Sequence, residues 1–203
     1  MINRSAFQNI TAQAKLAAVN NKLGNPGLKK NQGSSVEVWD YIKVTPGAAG
    51  VIRFFENVNA KTFPFTNIQQ NQLQVGEALA VEYIAFTRLT KAPLIGDKIS
   101  SWTSLLAAAP TVTLSSMSFL LDNSRIIKNN SLTRSSKFLN TKGQTAENNL
   151  FYPDTDLTIP PQISFTVELN IPANADTVDE REECYYGVHL FGTGAILNLK
   201  TNV

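Results

Sequence analysis

The 203-residue chain has a single cysteine, Cys184, and a single histidine, His189, and that scarcity excludes more function than any other feature does. A lone cysteine leaves no internal disulfide. One cysteine and one histidine do not supply the nitrogen and sulfur ligands of a zinc site within one chain. As a nucleophile pair, the two residues stand five apart in one expected strand. Side chains alternate faces along a strand, so this odd offset sets them on opposite sides. Cys184, beside Tyr185 and Tyr186, reads as a small buried hydrophobe. Long apolar runs are missing as well: no window approaches the ~18 residues a membrane helix needs. The opening Met-Ile-Asn-Arg-Ser lacks a secretory signal's apolar stretch, so export by that route is not expected. Without such a signal, the Asn9 and Asn129 triplets read as chance matches to glycan acceptors. No glycine-rich phosphate loop occurs, since Gly76-Glu77 and Gly192-Thr193-Gly194 are isolated and read as bulges or turns.

Charge of one sign is missing region by region. Residues 1–36 contain no Asp or Glu, while Arg4, Lys15, Lys22, Lys29 and Lys30 make that end basic. From Glu147 to Glu183 the balance reverses, with Glu147, Asp154, Asp156, Glu168, Asp176, Asp179, Glu180, Glu182 and Glu183 against Arg181 alone. A net charge of +2 therefore conceals a basic end and an acidic end, which suits opposite ends meeting different partners. A second basic segment runs Arg125, Lys128, Arg134, Lys137 and Lys142. Basic residues of this kind attract phosphates without reading sequence. Single-strand readers interleave rings with the charges, and the arm has only Phe7.

What the chain does contain is mostly β pattern. Residues 5–23 are the one good helix candidate, with Ser5 as N-cap, Phe7, Ile10, Ala14 and Ala17 at helical spacing, and Gly24-Asn25-Pro26-Gly27 as the stop. Residues 28–35 are polar and basic and read as an arm or linker. The helix either packs on the body or belongs to a mobile arm used in assembly. Strands are expected at Val36–Lys43, Val51–Val58, Leu79–Leu89, Thr111–Leu121, Arg125–Lys128 and Ile163–Ile171, with two more in Tyr185–Leu199 parted by Gly192-Thr193-Gly194. Shorter strands fit around Phe63, Leu73 and Leu157, Asp122-Asn123-Ser124 fits a tight connection, and Ser100–Ala109 is the one interior stretch with helical potential.

Eight to ten strands without βαβ alternation predict an all-β fold, a two-sheet sandwich over residues 35–203 preceded by a helix and arm over residues 1–34. Long connections and an arm fit a single jelly roll better than an immunoglobulin-like domain. No cofactor or metal is expected. An enzyme is not expected either, because no histidine-supported nucleophile is present and the carboxylates show no pairing. Asp154-Thr155-Asp156 fits a solvated turn better than a calcium site. A glycosidase pair of one of these with Glu168 or Glu82 has no geometry in sequence alone.

With these residues in view, the chain resembles the jelly-roll structural proteins of tailless icosahedral viruses, particularly those of bacteria. The likeness rests on the basic helical arm before an all-β body and on the strand segments Phe119–Lys128 and Leu157–Pro172. The resemblance implies a virion protein, made in the host cytoplasm, whose partners are copies of itself, other virion proteins, and the genome through non-specific phosphate contacts. Arg4, Lys15, Lys22, Lys29 and Lys30 would face the genome or inner surface. Phe7 and Ile10 of the arm, with Asp179, Glu180, Glu182 and Glu183, would meet neighbouring subunits. A carbohydrate- or receptor-binding module on the same scaffold is the alternative, with Trp39, Trp102, Tyr152, Tyr185 and Tyr186 as its available rings.

Overall fold

The structure is a computed structural model that describes residues 34–45, 50–89, 103–104, 116–131, 150–151, 153, 157–171, 184–196 and 199–200. The expected helix over residues 5–23 and the arm up to residue 33 lie outside them. The described residues are all-β apart from one 3-10 turn at Val58–Ala60. Ten strands form: β1 (Ser34–Val44), β2 (Gly50–Phe54), β3 (Ala78–Leu89), β4 (Thr103–Ser104), β5 (Ser116–Leu121), β6 (Ser124–Ser131), β7 (Leu150–Phe151), β8 (Leu157–Ile159), β9 (Phe165–Ile171) and β10 (Cys184–Ala195).

They make two antiparallel sheets. One runs β1-β10-β3, with the short β8, β7 and β4 pairing successive stretches of the far edge of β3. The other runs β2-β9-β5-β6. The pairings are nested: β1 lies on β10, β2 on β9, β3 on β8, and β5 on β6. The innermost pair is a hairpin whose two loop residues, Asp122 and Asn123, have φ of 45° and 61°. Both angles are left-handed, which short Asx side chains tolerate and which matches the twist of the flanking strands.

Alternation explains which residues meet between the sheets. Val36 and Val38 of β1, Tyr186, Val188 and Leu190 of β10, Met117 and Phe119 of β5, and Val167, Leu169 and Ile171 of β9 share one core. Phe54 of β2 meets Phe86 of β3 across it, with ring centroids 6.3 Å apart. In β3 the core face switches from Leu79 and Val81 to Ile84 and Phe86. The switch falls at a bulge where Val81 opposes Gly192 and Tyr83 opposes Phe191, leaving Glu82 as the extra residue.

Three sequence readings are corrected. The second strand ends at Phe54 rather than Val58. Phe55 and Asn57 take left-handed φ, and Phe55 turns into the core as its N–H donates to Asp40 Oδ2. Cys184–Ala195 is one continuous twelve-residue strand, with Gly192 and Gly194 inside it, where carbonyls of β3 approach closely, rather than parting two strands. Within the stretch given helical potential, Thr103 and Ser104 pair with Arg88 and Thr87 as β4. Of the shorter strands, Leu157 opens β8, Leu73 makes an isolated bridge to Pro161, and Phe63 lies in a turn.

Candidate functional site

None of the eleven residues singled out from sequence for genome or subunit contact falls among the described residues. Arg4, Phe7, Ile10, Lys15, Lys22, Lys29, Lys30, Asp179, Glu180, Glu182 and Glu183 lie outside, as do Asp154 and Asp156. Of the second basic segment, Arg125 and Lys128 stand exposed on β6. Arg125 Nη2 donates to Glu168 Oε2 at 3.0 Å, and Arg53 Nε approaches Glu168 Oε1 at 3.2 Å, so one carboxylate ties β2, β9 and β6 together. With both arginines about half exposed, these pairs add little stability. Glu82 belongs to the other sheet and accepts a hydrogen bond from Thr193. The weighed pairing of Asp154 or Asp156 with Glu168 or Glu82 lies outside the described residues, because both aspartates do.

A second constellation was not anticipated. The register sets Glu37, Trp39 and Tyr41 of β1 on the outward face beside Phe191, His189 and Gly187 of β10. His189 Nδ1 lies 2.7 Å from Glu37 Oε1, and its Nε2 lies 2.8 Å from Tyr41 Oη. An ionised carboxylate only accepts, so Nδ1–H donates to Glu37 and Nε2 accepts from the Tyr41 hydroxyl. Trp39 and Phe191 stack on the imidazole at 6.2 and 6.0 Å. Gly187 makes room for the Tyr41 ring, because a Cβ there would sit 2.3 Å from Tyr41 Cε1.

Residues 62–67 then run along the free edge of β1. Tyr41 N–H donates to Phe65 O, Trp39 Nε1–H to Pro64 O, Trp39 N–H to Asn67 Oδ1, and Thr66 Oγ1–H to Trp39 O. This covers an edge that would otherwise present unpaired backbone groups.

A hydroxyl, a histidine and a carboxylate in line is the arrangement that activates a nucleophile. Here Tyr41 and His189 are 2% and 0% exposed, so no substrate reaches the hydroxyl. The chain of bonds serves instead to lock β1 to β10. Burial lowers the His189 pKa from its ordinary 6.5 despite the opposing pull of Glu37. A depressed pKa means that the unfolded chain takes up the proton first. The stability tied to neutral His189 is thus complete above about pH 6.5 and is lost as pH falls toward the lower folded value. Thermal melts should show that acid limb in the native protein. In His189→Phe the limb should flatten, on top of a general loss of about 1–3 kcal/mol from stranding Glu37 and Tyr41. An unchanged pH profile in the variant would refute the assignment.

Asp40 is a buried carboxylate, inward-facing on β1 and fully enclosed. Its two oxygens receive Lys61 Nζ at 2.8 and 2.7 Å, and Oδ2 also accepts Phe55 N–H at 2.7 Å. Burial raises its pKa above 3.8, with Lys61 and the Phe55 bond opposing. Lys200 closes the cluster by donating to Val58 O and Lys61 O, and burial lowers its pKa. The cluster fastens β1, the turn after β2 and the chain's C-terminal segment together.

An open cleft of about 490 Å3 is lined by Asn59, Gln69, Gln70, Asn71 and Gln72. Among the described residues no group of three or more His, Cys, Asp or Glu is placed to hold a metal ion. No helix there is long and apolar enough to cross a membrane. No protein-family model, curated protein or solved structure matches the chain.

Proposed function

We propose that this chain is a virion structural protein that assembles with copies of itself, its body a single jelly roll and its basic N-terminal segment directed to the interior or genome. The nested pairing carries this reading. Strands β1 with β10, β2 with β9, β3 with β8 and β5 with β6 are the partners obtained when one long antiparallel ribbon is rolled into two facing sheets. Such nesting supports the jelly-roll reading; that scaffold is used by viral shells and also by lectins and cupins, so fold alone does not choose between them.

Two further observations favour the shell. The basic segment without acids and the acidic run Asp176–Glu183 carry opposite charge, which would steer and register contacts between copies. The described rings offered for sugar stacking are committed elsewhere. Trp39 is half-buried with its N–H on Pro64 O, Tyr185 is buried, and Tyr186 belongs to the core.

Light scattering across salt concentration, with and without DNA, tests the reading. Discrete large assemblies, or small rings that grow into shells, are expected. A stable monomer indifferent to both would overturn it. Deleting residues 1–33 stops short of β1 and should leave a folded body that assembles poorly; unimpaired particle formation would remove the arm from the mechanism.

A further inference from the structure

We infer that the cleft lined by Asn59, Gln69, Gln70, Asn71 and Gln72 binds a neutral, hydroxyl-rich ligand, a glycan segment, independently of the assembly reading. Its volume, about 490 Å3, falls within the range of small-ligand sites. Every lining residue is a primary amide, which offers two donors and one acceptor. A sugar hydroxyl both donates and accepts, so it suits such a lining without any proton transfer.

These groups are largely unspent. The side chains of Asn59, Gln69 and Asn71 make no hydrogen bond among the described residues, and Gln72 reaches Gln70 only at 3.5 Å. The lining holds no charged residue to select a phosphate or carboxylate, and no ring to select a base or an apolar ligand.

The frame is fixed in advance. Ile68 bridges to Leu199 and Gln72 to Ser164, and Phe165 N–H donates to Asn71 O at 2.9 Å. Gln69, Gln70, Asn71 and Gln72 thus stand on backbone tied at both ends, which lowers the ordering cost of binding.

Saturation-transfer NMR of the full-length protein with a panel of neutral oligosaccharides tests the assignment, followed by titration of any binder. Gln69 and Gln72 are exposed, so Gln69→Ala/Gln72→Ala should melt as the native protein does. Binding of at least one neutral glycan is expected, unchanged between low and high salt and about tenfold weaker in the double variant. Absence of any neutral binder would overturn the proposal. So would full affinity in the variant, or a preference for acidic glycans that fades with salt. A variant that loses self-association while neither protein binds sugar would make the cleft a contact between copies, and the glycan assignment would fall while the assembly reading stood.

Discussion

Replacing Lys61 by methionine is expected to lower the unfolding free energy by about 3–5 kcal/mol, the cost of leaving a buried charge without its partner. Asp40 is fully enclosed, and Lys61 supplies both of its side-chain bonds; without it only the Phe55 N–H remains. Methionine keeps most of the stem's apolar contact, so the loss reports the charge rather than the packing. Two controls separate the causes. Asp40→Asn in the Lys61→Met background removes the stranded charge while keeping an acceptor for Phe55, and should recover most of the deficit. Lowering the pH should do the same. Asp40 has a folded pKa raised above 3.8, so its charge opposes folding at neutral pH, and that cost disappears once both states are protonated. The gap between native and Lys61→Met in chemical denaturation should therefore narrow as pH approaches 3.8. A gap that stayed constant, or a loss under about 1 kcal/mol, would show that Lys200 or solvent already satisfies Asp40.

The Asp40 and His189 networks also show what sequence makes legible and what it does not. Alternation along β1 correctly set Val36, Val38, Asp40 and Ile42 on one face and Glu37, Trp39, Tyr41 and Lys43 on the other. It could not say that Tyr41 would meet His189, because their bond spans 148 positions and depends on β1 lying beside β10. Nor does an Asp on the apolar side of a strand announce Lys61, which arrives on a turn 21 positions later. The Asp122-Asn123 hairpin was readable because its physics is local: two Asx residues tolerate left-handed φ. The same holds for the all-β class, which follows from period-two patterning. The amide cleft had no such signature. Gln69–Gln72 look like any polar loop until tertiary bridges at Ile68 and Gln72 hold them around a concavity with Asn59.

Gly192→Ala is expected to cost at least about 3 kcal/mol, at the upper end of overpacking effects, and to leave little folded protein. A Cβ at this position would lie 1.9 Å from the carbonyl oxygen and 2.8 Å from the carbonyl carbon of Ala80. Both are backbone atoms of β3, so no side chain can turn aside to relieve the overlap. Relief requires β10 and β3 to part at the bulge where Phe191 and Gly192 change register. β10 is flanked by β1 and β3, so parting there breaks the middle of its sheet rather than fraying an edge. It also disturbs the outward Phe191 that stacks on His189 and Tyr83. Gly76→Ala is the matched control, since a Cβ there meets nothing within 4 Å. Its φ of 89° confines the penalty to backbone strain of about 1 kcal/mol. Thermal melts of the two variants should therefore differ sharply. Comparable melting temperatures would mean that β10 and β3 do not approach as closely at the bulge as the structure places them. In that case the single continuous strand from Cys184 to Ala195 would give way to two shorter ones with the glycines between them.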